Sequence, residues 1–135
     1  MSSIKAKIVA TARSVPQNIM TNHDLEKIVD TSDDWIRSRT GINQRHVVGE
    51  NEASSDMSTK IAKTLLEKSQ LSPTEIDVII VGTVTPDHFT PSTAAIVQNN
   101  INAKNAWGFD LSAACSGFIY GLETGSALIN SGKYN

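Results

Sequence analysis

The chain has 135 residues, enough for one domain with its own core and too few for two. Its 12 basic and 14 acidic side chains give a net charge of −2, with 5% aromatic residues and no basic stripe, which argues against a nucleic-acid partner. Apolar runs such as VIIVGTV are too short to span a bilayer, and MSSIKAKIVATA lacks the apolar core of a signal peptide, so a cytoplasmic protein with no membrane association is expected.

From the start of the chain, Ile4 to Ala12 alternates apolar and polar residues in its first half and predicts a strand, followed by a turn around Pro16 and Asn18. Thr21 and Asp24 form a capping pattern ahead of a short helix through Val29. The segment DTSDDWIRSRTG predicts a second short helix. Ser32 caps it, Asp33 and Asp34 sit against the positive end of its dipole, and Gly41 ends it. Asn43 to Val48 reads as a brief extended strand and GENEASS as a polar loop.

From Ser55 the apolar positions Met57, Ile61, Leu65 and Leu66 share one face of a helix reaching about Ser69. Ser72, Pro73 and Glu75 form a compact helix start leading into a strand over Asp77 to Val84, whose continuous apolar, β-branched run suits a parallel sheet covered on both faces. After the loop TPDHFTPST, Pro91 is expected at the first position of a helix running from about Ser92 to Asn100. A strand over Trp107 to Leu111 follows, and the alternation predicts α/β architecture with right-handed parallel crossovers.

The organising stretch is WGFDLSAACSGFIYG. Ser112, Ala113 and Ala114 read as a tight turn, and Cys115 to Ser131 as a helix with Gly132 at C′. Cys115, the only cysteine, thus falls at a helix N-terminus, where unpaired N–H groups and the helix dipole favour a thiolate and raise nucleophilicity. The same residue type is also ordinary buried packing, and an accessible thiolate is prone to oxidation. With one cysteine no internal disulfide can form, and His23, His46 and His88 lack the spacing of a metal site, so no metal is implied.

Gly117, Gly121 and Gly125 recur every four residues along the helix after Cys115, each costing roughly 1 kcal/mol relative to alanine. A face without Cβ atoms predicts close approach of another helix, supplied by a second chain or by a part of the protein beyond this sequence. The sequence ends at KYN, where an α/β alternation would deliver its next strand, and so reads as cut short. Trp35 and Arg39 stand four apart on the second predicted helix and share a face. Two such planes can sandwich a purine; they can equally form an exposed cation–π pair.

Three segments, in this order, carry a resemblance: NHDLEKIVDTSDDWIRSRTGINQRH, VIIVGTVTPDHFTPS and FDLSAACSGF. Over its whole length the chain resembles the N-terminal portion of a β-ketoacyl-acyl carrier protein synthase III, a thiolase-fold condensing enzyme that starts fatty acid synthesis. The resemblance implies residues 1–135 as an N-terminal thiolase-like half, with a mostly parallel sheet, a buried nucleophile-bearing helix, and the C-terminal half absent. It implies an acyltransferase with no prosthetic group. Acyl-CoA acylates Cys115 as a thioester, and malonyl-acyl carrier protein, after decarboxylation, attacks it.

By the same resemblance Thr31, Trp35 and Arg39 hold the CoA adenine, and the protein is a homodimer. The family's histidine, asparagine and glycine-rich loop belong to the C-terminal half, so the isolated chain is expected not to condense; His88 does not match that histidine. A truncated binding or dimerising module is the alternative. One departure is Thr90, where many members carry phenylalanine before the proline at the end of the partner's acyl pocket. A smaller residue implies tolerance of branched or longer starters, unless Phe89 turns into the gap.

Overall fold

A computed structural model describes residues 6–134. The chain divides into two compact units: a small one, Val15–Glu52, and a large one made of Met1–Ser14 with Ala53–Asn135.

The small unit contains β1 (Asn18–Thr21), α1 (Asn22–Leu25), α2 (Asp33–Thr40) and β2 (Gln44–Val47). β1 and β2 pair antiparallel, with Asn18 opposite Val47 and Thr21 opposite Gln44. β1 occupies ground expected to be a turn; its pairing with β2 decides the conformation where local pattern does not. Thr21 and Asp24 form the expected reciprocal cap, yet α1 is a single turn rather than a helix through Val29. α2 follows its expectation closely: the Ser32 hydroxyl accepts from Trp35 N, and Gly41, with φ of 72°, closes the helix by donating its N–H to Arg37 O.

The large unit contains α3 (Ser54–Ser69), β3 (Val78–Gly82), α4 (Thr93–Asn100), β4 (Trp107–Leu111) and α5 (Gly117–Asn130), with single 3₁₀ turns at Pro73–Glu75 and Ala114–Ser116. β3 and β4 run parallel, Val78 opposite Trp107 and Gly82 opposite Leu111, with α4 in the crossover. The parallel expectation thus holds for β3–β4, whereas the β1–β2 pair is antiparallel.

The core sits where α3 and α4 meet the β3–β4 sheet. Ala94, Val97, Ile101, Ala103 and Ala106 are buried, and Ala62, Leu66, Ile76 and Ile79 pack at its edge. Gln98 holds the return from α4 to β4 by donating its amide to Ala103 O and Ala106 O. Ala53 has no side-chain oxygen to cap α3, and the Asp87 carboxylate accepts from Ser55 N instead, at 3.0 Å.

Other expectations change. Of the strand expected over Ile4 to Ala12, residues 4 and 5 lie outside the described residues, and residues 6–12 carry no strand. Val9 and Ala10 instead border an apolar cavity of about 300 Å³ against Ala62, Leu65 and Ile79, and Lys68 Nζ donates to Thr11 O. Alternation marks a segment fit for a sheet, but a strand also needs a ladder partner. Pro91 precedes the cap of α4 rather than opening it, because the Ser92 hydroxyl accepts from Ala95 N.

Finally, the glycine face of α5 meets a strand and not a helix. A Cβ on Gly82 of β3 would come within 3.2 Å of the Gly117 carbonyl carbon, and one on Gly121 within 3.8 Å of Ile80 Cγ2; one on Gly125 would meet nothing within 4 Å. The helix N-terminus therefore touches the end of β3 backbone to backbone. Elsewhere α5 is not the buried helix expected: Phe118, Ile119, Tyr120 and Leu122 are exposed.

Candidate functional site

Cys115 lies exposed in the 3₁₀ turn Ala114–Ser116, between the end of β4 and the first residue of α5. The expected helix thus starts at Gly117 and not at Cys115, because the chain first makes a tighter turn. Ser116 N donates to Ala113 O, and Ala114 adopts φ of 44°, a left-handed conformation unusual for a residue with a Cβ. The β3–β4 ladder extends to the base of this turn through Thr83 N to Leu111 O at 3.2 Å. The Gly82–Gly117 approach fixes the other side of the turn.

Asp110, on β4, steadies the same region from within. Its two carboxylate oxygens accept from Thr93 N at 2.7 Å and Ala94 N at 2.8 Å, which caps α4 and ties the loop 83–92 to β4. Ser54 Oγ donates to Thr85 O and holds the loop's other arm. The loop and the end of β4 enclose a cavity of about 530 Å³ bordered by Val84, His88, Phe89, Asp110 and Ser112. Phe89 projects fully into solvent, and Thr90 beside it is exposed.

In the small unit, α2 brings Trp35 and Arg39 together as their spacing predicts: the guanidinium carbon stands 5.1 Å from the centroid of the indole. That is the closed, cation–π arrangement. A ring inserted between the two planes needs van der Waals spacing on both sides, about 3.5–4 Å each, so Arg39 has to swing outward to admit one. Trp35 is 55% exposed, and with Asp30, Thr31 and Ser32 it borders a cavity of about 330 Å³. Thr31 and Trp35 thus share a cavity, Trp35 and Arg39 share a helix face, and Cys115 belongs to the large unit. Arg37 points elsewhere and pairs with Asp33 at 3.4 Å.

The charges around the start of α2 form a chain. Glu26 accepts from His23 Nδ1 at 3.0 Å and from Asp33 N at 2.7 Å. The hydrogen bond to Glu26 raises the His23 pKa, and the bonds from His23 and Asp33 N lower that of Glu26. Asp33 is lowered first by the Asn22 amide and then by Arg37; Asp24 is lowered by the Thr21 hydroxyl and Lys27. Asn22, Asp110, Gly82 and the backbone at Ala114 had no distinctive signature in the sequence. Their importance comes from what folding places beside them.

Set against known proteins, this geometry defines its class first. The chain superimposes on 3-oxoacyl-[acyl-carrier-protein] synthase III from Aquifex aeolicus with a TM-score of 0.90 at 51% identity, covering 94% of this chain and 41% of that one. The priming β-ketosynthase of the R1128 polyketide pathway matches with a TM-score of 0.91 at 30% identity, over 95% and 38%. The fold is that of the thiolase-like condensing enzymes. Residues 109–135, which include Cys115, match the family model of 3-oxoacyl-[acyl-carrier-protein (ACP)] synthase III. The β-ketoacyl-[acyl-carrier-protein] synthase III of Chlorobaculum tepidum is 57% identical over 96% of this chain.

By these likenesses the chain is similar to the N-terminal portion of the β-ketoacyl-acyl carrier protein synthase III enzymes. It spans about 40% of the length of the curated relatives it matches.

Proposed function

We propose that this chain is the acyl-accepting portion of a condensing enzyme that joins an acyl-CoA starter to malonyl-acyl carrier protein in fatty acid synthesis. The Cys115 thiolate attacks the thioester carbonyl of acyl-CoA. The carbon–sulfur bond to CoA breaks, CoA leaves as a thiolate and takes a proton from water, and the acyl group stays on Cys115. In the complete enzyme malonyl-acyl carrier protein then loses carbon dioxide, its carbanion attacks the acyl carbonyl, and the cysteine thiolate is released.

The observation that carries the reading is the exposure of Cys115 on a tight turn at the strand-to-helix junction, inside the stretch that matches the family model. Trp35, Arg39 and Thr31 receive the CoA adenine, with Arg39 opening from the indole to admit it. The exposed Thr90 leaves room for branched starters. No prosthetic group takes part, and the setting is cytoplasmic; among the described residues no helix is long and apolar enough to cross a membrane.

Intact mass spectrometry of the chain incubated with acetyl-CoA and with isobutyryl-CoA tests this. An acyl adduct is expected with both and is lost in Cys115→Ala; no adduct on the unmutated chain rejects the reading. Acylation without condensation is expected of these 135 residues alone, since their relatives are much longer.

A second reading, a binding or dimerising module without turnover, draws on the exposed α5 face, where Phe118 is 72% and Ile119 62% accessible. It predicts a homodimer by light scattering, together with no acyl adduct.

A further inference from the structure

Asn22 is the one buried polar residue of the small unit among the described residues, at 1% exposure. Its amide is used completely. Nδ2 donates to Asp33 Oδ1 at 2.8 Å and to Ile42 O at 2.8 Å, and Oδ1 accepts from Arg45 Nη2 at 2.7 Å. Asp33 is the first residue of α2, and Ile42 follows the Gly41 that closes it. One side chain therefore grips the helix at both ends. Arg45 lies on β2 and also donates to Met20 O of β1 at 3.2 Å, so the grip is anchored in the two-stranded sheet.

Trp35 and Arg39 project from α2 between these two attachments. They are exposed, so no packed wall sets their direction, and only the placement of the helix backbone can do so. Stacking of flat groups on a flat ligand depends on that direction. A buried, fully satisfied amide is a rigid device for holding it, because each broken bond leaves a desolvated partner behind.

We infer that Asn22 is a positioning residue for CoA recognition: by holding both ends of α2 it fixes the planes that Trp35 and Arg39 offer to the adenine. The inference rests on the adenine reading above. It adds a residue that touches no ligand and acts through Asp33 and Ile42.

Calorimetric titration of the 135-residue chain with CoA and with 4′-phosphopantetheine, which lacks the adenosine, tests it through the ratio of the two affinities. Trp35→Ala tests the adenine reading itself. Asn22→Asp replaces the donating amide with a carboxylate facing Asp33, and Asp33→Ala cuts the grip at the helix start from a partly exposed position. The unmutated chain is expected to prefer CoA, and Trp35→Ala to abolish that preference. Asn22→Asp is expected to weaken CoA binding about five- to tenfold, and Asp33→Ala about threefold, with phosphopantetheine unaffected in both.

Should Asn22→Asp fail to fold, Asp33→Ala decides alone. If Trp35→Ala removes the preference while the Asn22 and Asp33 variants keep it, the inference is overturned and the adenine reading stands. Equal weakening toward both ligands also overturns it, since that marks general damage. No binding, or no preference for CoA in the unmutated chain, rejects the adenine reading and the inference with it.

Discussion

In the large unit the turn carrying Cys115 is set mainly by backbone meeting backbone, whereas in the small unit the helix carrying Trp35 and Arg39 is set by side-chain hydrogen bonds. Gly82 lies against Gly117, and Ala114 takes a left-handed conformation. Around α2 the work is divided among Asn22, Asp33, Glu26, Ser32 and Arg45. The two solutions fail differently. A backbone contact is insensitive to pH but has no room for added atoms, while a polar network accepts some change in size but depends on every donor, acceptor and charge.

The sharpest break in this comparison is expected at Asp110, the large unit's chief exception to backbone control. Asp110→Ala leaves Thr93 and Ala94 N–H groups without an acceptor at the start of α4 and should cost about 3 kcal/mol in urea unfolding, with Asp110→Asn losing less. Next comes Gly82→Ala, whose added Cβ would stand 3.2 Å from the Gly117 carbonyl carbon and 3.3 Å from its oxygen; a loss of about 2 kcal/mol is expected, together with slower acylation of Cys115. Equal stability for this variant would show that the contact is looser than the distances imply.

Smaller still is Trp35→Ala, which removes an exposed cation–π pair and should cost no more than about 1 kcal/mol while affecting CoA binding strongly. The smallest effect is a pH dependence confined to the small unit. His23 has a raised pKa, so its contribution is complete below its ordinary value of 6.5 and is lost as pH rises through the raised one. Glu26, Asp33 and Asp24 have lowered pKa values; their contributions are complete above the ordinary 4.5 and 3.8 and are lost as pH falls through the lowered ones. Hydrogen exchange of α1 and α2 should therefore be slowest, after correction for intrinsic rates, at roughly pH 5–6. His23→Gln should flatten the alkaline side and leave the acidic side in place.

Much of this was legible in the residues. Ser32 and Gly41 delimit α2 because capping is local chemistry, and the spacing of Trp35 and Arg39 puts them on one face of any helix that forms there. VIIVG and WGFDL read as parallel strands because continuous β-branched and aromatic runs suit a sheet covered on both faces, although in this chain both strands are only half-buried. The Cys115 turn was legible as a strand-to-helix junction, but not its tighter first turn or its left-handed Ala114.

By itself, then, the sequence determined where α2 begins and ends, which strands run parallel and which thiol stands at a junction, since each depends on neighbours within a few residues or on a simple repeat. Only the tertiary structure decided that Asn18–Thr21 pairs with Gln44–Val47, that Gly117 and Gly121 of α5 face β3, and that Asn22 closes on Asp33, Ile42 and Arg45. Those partners are distant in the chain, and an asparagine or a glycine looks the same in sequence whatever folding brings against it.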